Sequence, residues 1–209
     1  MRSRESEAES GASLELTAEY LGRVLEGVSA CLETLRGQAA ALAAAAEITA
    51  EALALRGKVL ACGNGGSAAD SSHFTTELLC RLKCDRVPFA AVSLAADAGF
   101  LTATANDYGY DAVFSRQVAG LGRAGDVLVV FSTSGNSPNV RLALEQAARD
   151  GLRTVAFLGR DGGRCRGLAE VEMIVDNPST ARIQEAHKVL MHCLCSLVEH
   201  RLLGMDLQY

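Results

Sequence analysis

The chain has 209 residues, 49% hydrophobic and 5% aromatic with no Trp, and it carries a net charge of −5 with a pI near 5.4. That length suits one domain with a sizeable core. No block of Lys or Arg forms a polyanion-binding face, so nucleic acid is not an expected partner, and an acidic chain must hold a phosphorylated metabolite with local hydroxyls and backbone N–H groups.

Residues 1–12 are polar, lack the apolar run of a signal peptide, and are expected to be disordered ahead of a single domain over 13–209. From Leu14 to Leu35 apolar residues recur at helical spacing. A second helix is expected from about Gln38 to Leu55, where Glu47 and Glu51 interrupt an Ala-rich run too short to span a bilayer. The seven cysteines sit mostly in apolar segments with no CxxC pair. They read as small buried hydrophobes of a reducing cytoplasm, which is the expected location.

The stretch Lys58 to Arg81, KVLACGNGGSAADSSHFTTELLCR, organises the rest. The apolar run Val59 to Cys62 predicts a buried strand, and Gly63-Asn64-Gly65-Gly66-Ser67 a tight turn that opens a helix at its N-terminus. Free N–H groups there suit an anion or a sugar hydroxyl. On that helix His73 and Glu77 form an i, i+4 pair on one face. The chain then alternates: strand 89–94, helices 98–105 and 111–121, strand 126–132, helix 139–150, strand 153–159, a short helical turn 163–169, strand 171–176 and a long helix 181–203. This alternation, with continuous apolar strands, predicts an α/β fold with a parallel sheet covered on both faces, ligands sitting beyond the carboxyl ends of the strands.

Ser132-Thr133-Ser134-Gly135-Asn136-Ser137-Pro138 follows a strand and precedes a helix. Its hydroxyls and the helix N–H groups offer an uncharged phosphate cradle, although a Ser-rich turn with an N-cap would look the same. It is no Walker loop, since no GK[ST] is present. Asn106-Asp107-Tyr108-Gly109-Tyr110 is expected between two helices, either as caps or as sugar-hydroxyl ligands. In the last helix Gln184 and His192 interrupt an apolar pattern, about 12 Å apart along the axis. His187 and His200 read as core-edge or surface histidines. His73, Glu77 and His192 are chemically fit for a divalent metal, for acid–base work, or for a plain helix-surface pair.

With CGNGGSAAD, HFTTELLCR, LTATANDYGYDAVFSRQV, GDVLVVFSTSGNSPNV and ARIQEAHKVLMHCLCSLVEH in order, the chain resembles the sugar isomerase (SIS) domain family, and more narrowly the phosphoheptose isomerases, from about Leu14 to Leu203. The resemblance implies a three-layer SIS sandwich, a five-stranded parallel sheet flanked by helices, with two N-terminal helices. It implies a homotetramer with active sites at subunit interfaces, acting on a small sugar phosphate with neither nucleic acid nor membrane as partner. The implied reaction is aldose–ketose isomerisation of sedoheptulose 7-phosphate. Glu77 and His192 match the catalytic pair. Asn64, Gly65, Gly66, Ser67, Asp97, Asn106 and Asp107 match contacts to sugar. Ser132, Thr133, Ser134 and Ser137 match the phosphate site, and Gln184 and Glu77 also match substrate contacts. His73, Glu77, Gln184 and His192 match the ligands of one Zn2+ per subunit. Ala181 stands where some members carry an acidic residue. Two rival readings are a non-catalytic SIS module that binds a replication initiator protein, and an isomerase or sensor of another phosphosugar. The presence of both Glu77 and His192 favours the enzyme.

Overall fold

The computed structural model describes the backbone of residues 2–83 and 85–207, and the side chains of residues 15–83 and 85–207. Helix α1, Arg2–Glu33, joins α2, Ala39–Ala54, through a single 3-10 turn, Thr34–Gln38. The backbone of α1 thus runs through the stretch expected to be disordered, whose side chains, like Cys84, lie outside the described residues. Five strands follow, β1 (Val59–Gly63), β2 (Ala91–Ser93), β3 (Val127–Ser132), β4 (Arg153–Gly159) and β5 (Val171–Val175). The helices between and after them are α3 (Gly66–Leu79), α4 (Ala98–Tyr108), α5 (Ser115–Leu121), α6 (Pro138–Arg149) and α7 (Thr180–Leu203).

All strand pairs are parallel, in the order β2-β1-β3-β4-β5. Alternating side chains divide each strand between two cores. Val59, Ala61, Val127, Val129, Phe131, Val155 and Phe157 face a layer made by α2, α3 and α7. Leu60, Cys62, Leu128, Val130, Ala156 and Leu158 face the layer that carries Val118, Leu144 and Phe114. Every residue of β1 and β3 is buried, which is why those strands read as unbroken apolar runs. The chain leaves β1 toward β2 on one side and then returns to β3 on the other. The carboxyl ends of β1 and β3 therefore border the crevice where such sheets take their ligands.

The strand predicted over 89–94 pairs only over Ala91–Ser93. The helix predicted over 111–121 is a 3-10 turn, Tyr110–Ala112, followed by α5. His187, read as a surface or edge residue, is fully buried against the stacked rings of Phe131 and Phe157, with ring centroids 6.3 and 5.9 Å away. Its Nε2 lies 3.2 Å from the Leu158 carbonyl, while Nδ1 has no partner among the described residues.

Candidate active site

Two loops meet at the crevice. Gly65, at φ 56°, turns the chain sharply into α3, a conformation that favours glycine. At Gly66 a Cβ would lie 2.2 Å from Gln184 Nε2, so the Gln184 amide rests directly on the first turn of α3. Across the crevice, Ser132 Oγ accepts from Gly135 N at 3.1 Å and Ser134 Oγ from Asn136 N at 3.2 Å. Ser137 is the N-cap residue of α6 yet makes no side-chain cap bond, so its hydroxyl is not spent on the helix. The arrangement sets hydroxyls around a helix N-terminus, a geometry able to take an anion.

Two residues not singled out from sequence hold the loops together. The amides of Asn64 and Asn139 bond each other reciprocally, Asn64 Nδ2 donating at 2.8 Å and Asn139 Nδ2 at 2.9 Å. Tyr110 donates its hydroxyl to Asn64 Oδ1 at 3.0 Å. Asn139 is buried. An asparagine just inside a helix start that follows an apolar strand is the signal that would have pointed to it.

The expected loop 106–110 is only partly a loop. Asn106 and Asp107 lie on the last turn of α4, exposed, with Asn106 Nδ2 donating to Asp107 Oδ1 at 2.8 Å. The helix stops only at Gly109, φ 87°. Asp97 is the N-cap of α4, accepting from Phe100 N at 3.0 Å, so its carboxylate already serves the helix.

Helices α3 and α7 run side by side and face each other in polar layers. Gly66 meets Gln184, and Asp70 Oδ1 lies 3.3 Å from Lys188 Nζ. In the next layer His192 Nε2 lies 3.4 Å from His73 Nε2, which is 2.8 Å from Glu77 Oε1. The ligand atoms of His73, Glu77 and His192 all fall within 4.8 Å of one another, a grouping able to hold a metal ion. The first two layers border a groove of about 350 Å³ lined by Gly66, Asp70, Gln184, Glu185 and Lys188 among others. Burial holds His192 below the usual imidazole range, as does the neighbouring His73; Glu77 pulls the other way and Lys188 adds to the lowering. An imidazole beside a carboxylate can donate or accept a proton and can ligate a metal.

Within one chain these residues form two groups. Asn64, Gly65, Gly66, Ser67 and Gln184 join Ser132–Ser137 at the crevice. Glu77 lies eleven residues beyond Gly66, about 16 Å along α3, because a helix following a parallel strand runs back away from the strand's carboxyl end. Gln184 sits with the first group, beside Gly66, and not in the His73–Glu77–His192 layer.

The SIS domain family matches residues 19–159. The phosphoheptose isomerase of Aromatoleum aromaticum is 48% identical over 178 residues, 84% of this chain and 90% of that protein. That of Bordetella avium is 42% identical over 194 residues, 91% and 98% of the two chains. Among solved structures, the phosphoheptose isomerase of Neisseria gonorrhoeae superposes with a TM-score of 0.82 at 42% identity, covering 87% of this chain and 97% of that one. The Francisella tularensis phosphoheptose isomerase gives 0.84 at 34% identity, covering 88% and 98%. The two-loop crevice, the parallel sheet and the paired helices of this chain belong to the phosphoheptose isomerase family of SIS-domain proteins.

Proposed function

We propose that this protein is an aldose–ketose isomerase that converts sedoheptulose 7-phosphate to D-glycero-D-manno-heptose 7-phosphate, supplying heptose biosynthesis in the cytoplasm. The observation that carries the reading is the carboxylate–imidazole layer of His73, Glu77 and His192, in a chain whose full-length relatives bear the name phosphoheptose isomerase. A binding module that keeps only the fold has no use for that layer.

The open-chain ketose carries an acidic proton on C1. Glu77 removes it while the electron pair forms the C1–C2 double bond and the C2 oxygen takes up negative charge. His192 donates its N–H to that oxygen. Glu77 then returns a proton to C2, and the hydroxyl proton of O1 ends on O2, giving the aldose. Ser132, Thr133, Ser134 and Ser137 hold the phosphate, and Asn64, Gly65, Gly66, Ser67, Asn106 and Asp107 meet the sugar hydroxyls.

His73, Glu77 and His192 also suit one Zn2+ per subunit, with Gln184 as the fourth ligand. Two Nε2 atoms 3.4 Å apart match the edge of a tetrahedron whose ligands stand at about 2.0–2.1 Å. Bound there, the ion would supply Lewis-acid polarisation of the C2 oxygen.

The reading extends to a homotetramer with sites at subunit interfaces. The reach from C1 to phosphorus is about 10 Å at roughly 1.2 Å per bond, shorter than the helix between cradle and Glu77. A cradle from one chain and a Glu77 from another remove the mismatch, and Gln184 can likewise come from a neighbour. On α1, Leu16, Tyr20, Leu21 and Leu25 are 53–63% exposed, an apolar stripe that suits a subunit contact.

Substrate choice is tested by incubating the protein with sedoheptulose 7-phosphate, and in parallel with a six-carbon ketose phosphate and an aminosugar phosphate, each followed by NMR. Preferential turnover of the heptulose supports the reading, and preference for another sugar phosphate replaces the substrate assignment. Metal analysis of the same sample tests the zinc assignment; a fully active, metal-free protein removes it.

A further inference from the structure

We infer that Arg86 and Glu199 are a positioning pair for Glu77, fixing the carboxyl end of α3 against α7; the inference rests on the reading of Glu77 as the base. Both side chains are almost wholly buried, 3% and 4% exposed, and Arg86 Nε donates to Glu199 Oε1 at 2.7 Å. The rest of the guanidinium is spent on backbone. Nη2 donates to the carbonyl of Glu77 itself at 2.7 Å, and Nη1 to those of Leu78 at 2.8 Å and Val87 at 3.0 Å. Its Cζ lies over the Phe89 ring, 4.0 Å from the centroid. Glu199 further accepts from Leu82 N at 3.4 Å.

The last carbonyls of a helix have no partner within it, and a left-handed glycine commonly ends the helix and serves them. Here α3 ends at Cys80, φ −88° and ψ −87°, with no such glycine. Arg86 does that work instead, from a loop, and carries a positive charge to the negative end of the helix. Glu199 lies seven residues beyond His192, two turns along the same face of α7. Arg86 therefore grips the residue that carries the base and, through Glu199, the helix that carries His192. A slip of α3 along α7 of about 1 Å is the size of displacement that costs about 10²-fold in rate.

A buried charge that loses its partner can unfold a protein, whereas replacing both charges by apolar groups is often tolerated. Three full-length variants are therefore compared with wild type: Glu199→Gln, Arg86→Lys, and the double variant Arg86→Met with Glu199→Leu. Leu144→Ala, in the core on the opposite face of the sheet, is the control for lost stability. Assays are run well below each melting temperature. The expected result is a fall in kcat of tenfold or more in every variant that folds, with KM for sedoheptulose 7-phosphate within twofold of wild type. Hydrogen exchange should also quicken at the Cys80 and Phe89 amides, which bond the Thr76 and Leu78 carbonyls. The Leu144→Ala protein should keep its kcat. A double variant with kcat within twofold of wild type overturns the inference, as does a loss that Leu144→Ala matches at equal melting temperature. If the wild type itself does not turn over the sugar, the reading of Glu77 fails. The exchange data then decide alone, and unchanged exchange at Cys80 and Phe89 in the double variant overturns the positioning claim.

Discussion

Glu77 is where the proposed chemistry concentrates. It is the carboxylate of the layer formed with His73 and His192, and its side chain is only 15% exposed. Glu77→Gln keeps the shape and removes the basicity, so kcat should fall by about 10²–10⁴ while circular dichroism is unchanged; a normal rate would remove Glu77 as base. Ser134→Ala should raise KM several-fold and leave kcat nearly unchanged, because one hydroxyl of the cradle is lost and the reacting end is untouched; an unchanged KM would count against the loop. His187 makes a different statement, about stability. Burial pushes its imidazole down to about 4, against partial help from the Leu158 carbonyl. The unfolded chain therefore binds a proton that the folded chain refuses. Stability is full above about pH 6.5 and falls as the pH drops from there to about 4, by roughly 3 kcal/mol. In His187→Gln, the slope of unfolding free energy against pH in that window should shrink by about one proton; an identical slope would contradict the assignment.

Among the elements, those that sequence periodicity determines were legible. The runs Val59–Cys62 and Asp126–Ser132 are buried on both faces, and the structure makes strands of both. Where an end depends on one residue's backbone, the reading erred. Asn106 and Asp107 looked like loop residues, yet α4 continues until Gly109 takes φ 87°. Contacts between distant residues left no local trace. Nothing around Asn64 announces that its amide is paired with Asn139, 75 positions away, nor does Arg86 announce Glu199, 113 positions away. Such pairs are set by where the sheet order brings the loops. The Asn64–Asn139 pair bridges the β1 and β3 ends, so Asn139→Ala should cost about 1–3 kcal/mol by depriving Asn64 Nδ2 and the buried Val140 N–H of their acceptor. The melting temperature should drop by about 2–4 °C per kcal/mol, and an unshifted transition would show that the pair carries no load.

At the scale of the whole molecule, the sequence placed two polar loops on one rim and the His–Glu pair on the helix that follows the first. The fold keeps the loops together and sets His73 and Glu77 about two and three turns down α3. Topology alone separates them, because α3 runs back from the crevice across the face of the sheet. With Ser132–Ser137 as the proposed phosphate cradle and Glu77 as the proposed base, a specific prediction about assembly follows. Glu77→Gln protein and a cradle variant, Ser132→Ala with Ser134→Ala, should each be nearly inactive. Mixed, with time for subunits to exchange, they should regain up to about one quarter of wild-type activity if each site draws on two chains. No recovery on mixing, with exchange confirmed by mass, would place both halves of the site in one subunit. The central claim is tested most directly in D2O: wild-type and Glu77→Gln protein are incubated with sedoheptulose 7-phosphate and the products followed by NMR. Wild type should form the aldose with deuterium at C2, and Glu77→Gln should form none; failure of the wild type to form aldose, with or without added zinc, or undiminished turnover by the variant, would contradict it.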